Sequence, residues 1–365
     1  MMAMMVAMTW GVCHAQSDSI AWENCTEGAD GEGLAAGETE VLRKRKPFVL
    51  RTIDRVSSFF MDCDTTYVTP QKYQITAQME LSYWHDYYFI RSSQTSKSMT
   101  IQSDPSAILG GYISYSIFGY GVTFNLNDLG IPAGRTNGTS MRQTLTINTA
   151  KFFAEFYRFN SGKGAEIQRI TGVDLEGKER SFSGLDSRCN GVSAIYLFNN
   201  RHFSWPAAFG ANTVQRKSCG SWSVGFQYNH QKVTFDKDAL PEDLKEEIDP
   251  TLLLHKVDYS DYNVSIGYNY NWVLKRNLMF AVSVMPNIGY RRSDITESEE
   301  FQHSILKNVA TDLNLRMSFF WNNTKYFSGL MFEAHTYSYR TDKLGLTNTY
   351  GTIKYVLGLN FWRKP

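Results

Sequence analysis

The chain has 365 residues, and its 37 Lys and Arg nearly balance its 36 Asp and Glu. This balance argues against a nucleic-acid-binding protein, which usually carries a basic excess on its binding face. Charged residues make up 20% of the chain and aromatic residues 14%, and no run approaches the ~20 apolar residues that a membrane-spanning helix needs. These features together favour a β-barrel whose strands alternate between lipid and water.

The first fifteen residues carry the features of an export signal. Residues 1–15 are apolar and too short to span a membrane, and Cys13 and Ala15 fit the two small residues of a cleavage site before Gln16. We therefore predict a cleaved secretory signal over 1–15. A lipoprotein signal is the weaker alternative because Val12 stands where such signals need a small residue, and a disordered apolar start is the remaining one.

The predicted export determines how the cysteines are interpreted. Cys25, Cys63, Cys189 and Cys219 remain after cleavage, in a compartment that permits disulfides. No C-x-x-C pair and no nearby histidine at ligand spacing accompanies them, so the sequence predicts no metal site and no cofactor. Cys189 and Cys219 bracket one segment and are candidates for a disulfide, but unpaired thiols are the favoured alternative.

A spacer follows the predicted signal. Residues 16–42 are acidic and contain no Lys or Arg, and residues 43–46 are then all basic. We predict a flexible acidic and then basic spacer over 16–46. The basic cluster is interpreted as a solvated linker, with binding to phosphate head groups as the alternative.

The next segment has helical periodicity. Val49, Ile53, Val56 and Phe60 recur at helical spacing, which predicts a short amphipathic helix over 48–61. It belongs to a predicted periplasmic segment, 47–71, that leads into the barrel. We expect this helix to pack on the barrel rim; lying on the membrane surface is the alternative.

From about residue 72 the hydrophobic period changes to two. In the segment 262–272 the even-numbered residues are Tyr, Val, Ile, Tyr, Tyr and Trp, whereas the odd-numbered residues are Asn, Ser, Gly, Asn and Asn. Side chains on a strand point to opposite faces in turn. A soluble sandwich would carry large charged residues on its wet face, whereas small polar residues fit the inside of a crowded barrel. We therefore predict an all-β, antiparallel transmembrane β-barrel over 72–362.

Strand lengths and gaps predict the topology. The C-terminal strand candidates are 219–235, 257–272, 277–291, 305–321, 326–340 and 348–362. The N-terminal candidates are 73–83, 85–93, 98–103, 108–117, 118–126, 143–150, 152–160 and 189–199, and some of these must be halves of one strand. Long and short gaps alternate, as in outer-membrane barrels: the gap 322–325 suits a tight turn, and the charged loop 237–250 is expected to face outward. An even count with both termini in the periplasm gives about twelve strands, within a range of ten to fourteen.

Three segments of the sequence have a distinctive pattern. They are 196–221, with Phe198-Asn199, Phe203-Ser204, Ala207-Ala208-Phe209, Gln215-Arg216-Lys217-Ser218 and Gly220-Ser221; Asp64-Thr65-Thr66-Tyr67-Val68 with Pro70 and Tyr73; and Lys151-Phe152-Phe153-Ala154-Glu155-Phe156-Tyr157. This pattern resembles a family of uncharacterised outer-membrane β-barrel-like proteins from Bacteroidetes, known only as a domain of unknown function. The resemblance covers roughly residues 50–362. It implies a barrel without established catalytic residues, and Cys219 stands where the resemblance predicts Ala.

The segment 200–218 is too long for a minimal periplasmic turn. It carries apolar anchors, and the candidate plug or docking residues are Phe203, Ser204, Trp205, Pro206 and Phe209. We hypothesise that this segment folds into the lumen as a plug or docks a periplasmic protein. Ordinary packing against the barrel floor is the alternative.

A weak catalytic candidate lies in the same segment. His202 and Ser204 form an H-x-S triplet, which on a strand would place a base and a nucleophile on one face. No Asp or Glu occurs over 187–235, so a group that orients the histidine must come from another strand or from Asn199 or Asn212. The alternative is a packing motif in which His202 is incidental.

Charged residues are also predicted inside the barrel. By strand parity the candidate lumen-lining residues are Glu155, Arg316, Glu333, His335 and Lys354. Because both signs occur, we favour an internal network that stabilises a narrow barrel. A selectivity lining is the alternative, and Glu333 with His335 supplies too few ligands for a metal site.

The sequence thus predicts an exported outer-membrane barrel in contact with membrane lipid. Its expected role is that of a non-enzymatic structural or docking barrel, with a periplasmic protein as the candidate partner. A small-solute channel is the first alternative. A lipid-acting hydrolase that uses His202 and Ser204 is the second.

Overall fold

The computed structural model describes residues 59–103, 106–131, 141–160, 164–249, 252, 256–293, 309–340 and 344–364. The predicted signal, the predicted spacer and nearly all of the predicted helix over 48–61 lie outside these residues. Within the described ranges, no helix combines the length and the apolar character that crossing a membrane requires.

The described residues form seventeen strands. They are β1 (Val68–Thr69), β2 (Tyr73–Ser92), β3 (Ser98–Ser103), β4 (Ser106–Tyr115), β5 (Phe118–Asn125), β6 (Met141–Asn148), β7 (Phe152–Asn160), β8 (Ala165–Ile170), β9 (Ser181–Phe182), β10 (Leu185–Leu197), β11 (Val214–Gln215), β12 (Cys219–Phe235), β13 (Lys256–Lys275), β14 (Leu278–Ser293), β15 (Val309–Asn322), β16 (Tyr326–Arg340) and β17 (Leu344–Arg363). Short helical segments are the 3₁₀ turns Leu126–Leu129 and Lys237–Ala239, the π-turn Pro206–Gly210 and the α-turn Glu242–Lys245.

Twelve of these strands close into one antiparallel barrel. Their order is β2-β4-β5-β6-β7-β10-β12-β13-β14-β15-β16-β17, and β17 pairs back with β2 along nearly its whole length. The predicted barrel of about twelve strands is therefore confirmed. The candidates 73–83 and 85–93 are two halves of one strand, β2, because the inward and outward alternation continues through Trp84.

The outer face of the barrel is an apolar band with aromatic edges. On β13 every even position from Tyr262 to Trp272 faces outward, and the aliphatic pair Val264 and Ile266 lies between the aromatic ends. These ten steps cover ~34 Å along the strand, or about 26 Å once the strand is tilted by ~40°. This height matches the ~25 Å apolar band of membrane-spanning barrels.

The two ends of the barrel differ in their connections. At one end the strands are joined by tight turns, including the turns through Asn277 and Thr324, whose φ angles are 66° and 81°. The first residue of the barrel, at the start of β2, and its last residue, at the end of β17, also lie on this short-turn side. The segment 198–218 is the one long connection among the described residues there. The opposite, long-loop end carries the remaining connections.

Three strands leave the barrel wall and fold over the long-loop mouth. The strand β3 continues along β2, but its other edge pairs with β8, which in turn pairs with β9. Their side chains Ile101, Ile167 and Phe182 are fully buried in one apolar cluster with inward-facing residues of the wall. We call this cluster the outer cap. The strand predicted over 98–103 is thus present, but it belongs to the cap rather than to the wall.

The charged loop 237–250 contributes to the outer cap. Its residues Leu240, Leu244 and Ile248 are buried in the cap, while Lys178 forms an ion pair with Glu247 across the surface at 2.5 Å. The loop lies at the long-loop end, as the expectation that it faces outward requires, but part of it is packed into the mouth of the barrel. Most of its acidic side chains face solvent, but Asp249 is mostly buried and pairs with Lys97 at 3.4 Å. Its apolar side chains, spaced four residues apart, fill the mouth.

Candidate functional site

The long connection 198–218 occupies the short-turn end of the lumen, and we call it the plug. Its side chains Phe203 and Trp205 are each 1% exposed. The indole of Trp205 packs against the ring of Phe153 from the barrel wall at 5.7 Å and against the ring of Phe209 at 4.6 Å. These apolar residues, with Pro206 at the start of the π-turn, fill the lumen rather than lie beneath it.

Polar side chains of the barrel wall hold the plug backbone. The Ser318 hydroxyl donates to the carbonyl of Ala208 at 2.5 Å, and the Asn322 amide donates to the carbonyl of Ala211 at 2.7 Å. The Asn271 amide donates to the carbonyl of Ser204 at 3.1 Å. A short turn leaves the carbonyls at its C-terminal end, here those of Ala208 and Ala211, in need of donors from elsewhere when they are buried. The small polar residues on the inward face of the wall supply them.

The segment before the barrel clamps the plug from the short-turn side. The strands β1 and β11 pair, and the Arg216 amide donates to the carbonyl of Tyr67 at 2.7 Å. The Asp64 carboxylate accepts from the backbone N–H of Thr66 at 2.8 Å, and this hydrogen bond lowers the pKa of Asp64 below its ordinary value, as does the nearby His202. We call this segment before the barrel the clamp, and it fixes both flanks of the plug.

The three segments that carry the predicted family pattern meet at this place. The plug belongs to the first segment and the clamp to the second. The third reaches them through Lys151, whose carbonyl accepts from the Leu197 amide at 2.9 Å. Phe152 packs its ring against Phe60 at 5.3 Å. The three segments on which the predicted resemblance rests therefore form the plug and its supports.

His202 and Ser204 have different partners. The Ser204 side chain is buried, lies 2.7 Å from the Thr213 hydroxyl and accepts from the Ala207 amide at 3.1 Å. His202 is partly exposed, and its Nδ1 lies 3.0 Å from the Asn199 side chain. Residues 198–204 form turns rather than a strand, so the i, i+2 argument for a base and nucleophile on one face does not apply. Ser204 caps the π-turn.

Charged side chains lie above the plug, toward the middle of the lumen. Arg142 pairs with Glu155 at 2.8 Å, and Lys354 pairs with Glu333 at 2.8 Å. Arg316 lies between the two carboxylates, 3.8 Å from Glu155 and 3.9 Å from Glu333. We call these five residues the charge layer. The structure thus brings together four predicted lumen residues and adds a fifth.

Arg142 is the member of the charge layer that sequence reasoning missed. The strand predicted over 143–150 starts two residues too late, because β6 begins at Met141. With the correct start, Arg142 has the same inward parity as Thr144 and lies over the Tyr157 ring at 5.4 Å. The only sequence signal for Arg142 is its place directly before a predicted strand, at a position whose parity matches the inward-facing Thr144.

His335 lies beside the charge layer, in an aromatic stack. Its ring is parallel to Tyr350 at 4.7 Å, and Tyr337 stacks at 6.3 Å. Its Nδ1 is buried without a hydrogen-bond partner. No group of three or more His, Cys, Asp or Glu in the described part of the chain is placed to hold a metal ion.

Two small cavities adjoin the charge layer. One, of about 120 Å³, is lined by Phe209 and Asn212 of the plug, and the other, of about 40 Å³, reaches His335. Both are lined by Glu155, Arg316 and Glu333, so the charged side chains stand between them. Volumes of this size hold a few water molecules.

The cysteines in the described residues form no disulfide, although Cys219 packs against the apolar cluster of the plug. Cys189 and Cys219 are free thiols, as is Cys63. Cys189 pairs in register with Gln231 and Cys219 with Asn271, which places them at opposite ends of the barrel wall. Cys189 and Cys219 are therefore unpaired, as the favoured alternative predicts. Cys25 lies outside the described residues.

Plug, charge layer and outer cap follow one another along the lumen. The fold and this lumen define a class of protein, the transmembrane β-barrel with an occupied interior. A family model described as a domain of unknown function, DUF4421, matches residues 62–361, and the chain belongs to that family. The predicted membership of a family of unknown function is confirmed; the Bacteroidetes source stays a prediction.

Solved structures of outer-membrane barrels are distantly similar to this chain. The outer membrane protease OmpT from Escherichia coli has 8% identity and a TM-score of 0.33, covering 80% of this chain and 98% of its own. An outer membrane channel from Pseudomonas putida F1 has 10% identity and a TM-score of 0.34, covering 80% and 97%. The beta domain of the Bordetella autotransporter BrkA has 7% identity and a TM-score of 0.36, covering 79% and 100%. Scores this low transfer no property to this chain, and no curated protein matches it.

Proposed function

We propose that this protein is an outer-membrane barrel that is closed at rest and serves as a structural or docking barrel of the cell envelope. The observation that carries the proposal is the occupied lumen. The plug fills one mouth with buried aromatic residues, and the outer cap fills the other with a separate apolar core. An open channel would need a continuous wet path between them.

The location follows from the outer surface and the connections. An apolar band about 26 Å high with aromatic edges fits a bilayer, and barrels of the outer membrane keep short turns on the periplasmic side. We therefore assign the short-turn end, with both ends of the barrel chain and the plug, to the periplasm. The predicted signal over 1–15 supplies the export that this location needs.

The charge layer supports a stabilising role more than a selective one. Its two carboxylates and three cations pair within the layer, and Glu155 and Glu333 each contact a partner at 2.8 Å. Buried charge is costly unless it is paired, so these pairs are what allow charged residues at this depth. A selectivity filter would more often display one sign of charge to the solute.

Docking is assigned to the periplasmic face of the plug. The exposed side chains Arg201, Arg216 and Lys217 lie there, on the plug and beside the clamp. We infer that a periplasmic protein is the partner of this face. In the hydrolase alternative Ser204 would have to give up both of its hydrogen bonds, so this alternative has the least support.

A gated passage for small solutes is the second candidate, favoured by the two polar cavities beside the charge layer. Four proteins in a planar bilayer separate the candidates: the intact chain, a chain with residues 204–213 replaced by a Gly-Ser linker, a chain with 237–252 replaced likewise, and the double replacement. Circular dichroism controls for folding. Two independent closures predict conductance in the double replacement alone.

Conductance after replacing the plug alone would contradict two independent closures and support a channel gated by the plug. Steady conductance of the intact chain would contradict the closed barrel itself. Docking is tested separately, by cross-linking from Arg216 in intact cells: the proposal expects one protein product that is lost in the plug replacement, and the absence of any product would refute docking through this face.

A further inference from the structure

The short-turn end of the barrel is strongly basic. In the described residues of this end (59–74, 114–119, 147–153, 197–221, 272–279, 320–327 and 359–364), the only acidic side chains are Asp62 and Asp64. Both are matched within the molecule, Asp62 to Arg201 at 3.2 Å and Asp64 to His202 at 3.5 Å. Lys217 also lies near Asp64, whereas Lys275, Arg276 and Lys325 lie on turns (272–279 and 320–327) that contain no acidic residue.

Most of these cations lie on the barrel wall rather than on the plug. Those on strand ends and turns are Lys72, Lys151, Lys275, Arg276, Lys325, Arg363 and Lys364. We call this set the basic rim. Its members occur at the β6–β7, β13–β14 and β15–β16 turns and at the two chain ends of the barrel. All but Lys151 are exposed, and the exposed members lie at the ends of six neighbouring strands, β13 to β17 and β2, which make up half of the circumference.

The basic rim lies just outside the aromatic edge of the apolar band. Trp272 precedes Lys275 by three residues, Trp362 directly precedes Arg363, and the Lys325 ammonium lies over the Tyr326 ring at 5.2 Å. Aromatic side chains in such bands lie at the level of the lipid head groups. The rim cations lie farther from the membrane centre than these aromatic residues, so they are at the depth of the lipid phosphates.

We propose that the basic rim binds anionic phospholipid head groups of the leaflet that surrounds the short-turn end. These cations follow the barrel wall beside its aromatic edge, where the surrounding lipid lies. A protein docked on the plug would instead contact Arg201, Arg216 and Lys217. The inference rests on the membrane location in the proposed function, but not on the closed lumen or on docking. Each Lys or Arg near an anionic surface shifts the local equilibrium about fivefold.

Tryptophan quenching by brominated lipid tests the proposal. Trp222, Trp272 and Trp362 face outward near the rim and report the lipid that touches it. The intact protein is reconstituted in vesicles of phosphatidylcholine and phosphatidylglycerol, with bromine on one lipid or the other. We expect quenching to show about a twofold to fivefold preference for phosphatidylglycerol, falling as salt rises.

Two charge variants with equal numbers of substitutions provide the comparison. The rim variant carries Lys275→Gln, Arg276→Gln and Lys325→Gln, and the control variant carries Arg91→Gln, Arg169→Gln and Arg188→Gln at the long-loop end, where the side chains are also exposed. The preference should fall in the rim variant, which keeps four of the rim cations, and persist unchanged in the control. Equal quenching by both lipids in the inserted intact protein would overturn the inference. Failure to insert into either vesicle would instead overturn the membrane location, and the inference with it.

Discussion

Trp205→Ala tests whether the plug is a packed part of the lumen. The indole is 1% exposed and contacts the rings of Phe153 and Phe209. Truncating a buried Trp to Ala costs about 3–5 kcal/mol. The indole N–H is buried without a hydrogen-bond partner, and an unsatisfied donor already costs ~1–3 kcal/mol in the folded state. Since the variant also removes that cost, we expect a loss near the lower limit, about 3 kcal/mol.

Urea unfolding of the reconstituted protein, followed by circular dichroism, measures this loss. Trp222→Ala is the matched control, because Trp222 faces outward at 59% exposure and packs with Tyr268 at 5.2 Å. Losing an aromatic pair of this kind costs about 1 kcal/mol. Trp205→Phe, which keeps a ring in the site, should recover much of the loss. If Trp205→Ala costs no more stability than Trp222→Ala, then Trp205 does not pack in the lumen, and the plug is not a packed part of it.

Three further predictions concern the charge layer, the π-turn and the clamp. Glu333→Gln should lower the free energy of unfolding by about 3 kcal/mol because it removes the carboxylate 2.8 Å from the buried Lys354 ammonium and leaves only the neighbouring Glu80 near it; a double variant that also has Lys354→Met should recover most of it, and no recovery would contradict the pairing. Ser204→Ala should cost about 1 kcal/mol as a lost cap and leave fatty-acid release from phospholipid vesicles unchanged, whereas abolished release would restore the hydrolase. The pKa of Asp64 is lowered from 3.8 by the hydrogen bond from Thr66, so its contribution to stability is present above 3.8 and is lost as the pH falls through the folded value; in acid unfolding curves Asp64→Asn should remove this dependence, and an unchanged curve would argue against the clamp.

The barrel could be predicted from the sequence because its period-two pattern reports burial directly. The strands predicted over 219–235 and 326–340 have the observed bounds, since more buried and more exposed positions alternate through both strands. The same parity placed Glu333 and His335 on one face. Pattern alone did not separate the wall from the cap, because β3 alternates as wall strands do while its pairing with β8 depends on distant residues.

The closed lumen could be predicted only in part. The plug was predicted from the length and apolar anchors of 200–218, but its π-turn exists because Ser318 and Asn322 donate to its carbonyls, and such tertiary contacts leave no local pattern. The cap was missed for a different reason. Leu240, Leu244 and Ile248 recur every four residues in an otherwise charged loop, a helical spacing that the overall charge of the loop concealed.

Single-channel recording of the intact, purified protein in a planar bilayer tests the central claim most directly. The claim is that plug, charge layer and outer cap together leave no continuous aqueous path through the barrel. We expect no conductance from protein whose insertion into the bilayer is verified independently by protease protection. Steady, voltage-independent conductance from the inserted intact protein would contradict it, since ions would then cross a lumen that the packed side chains should close.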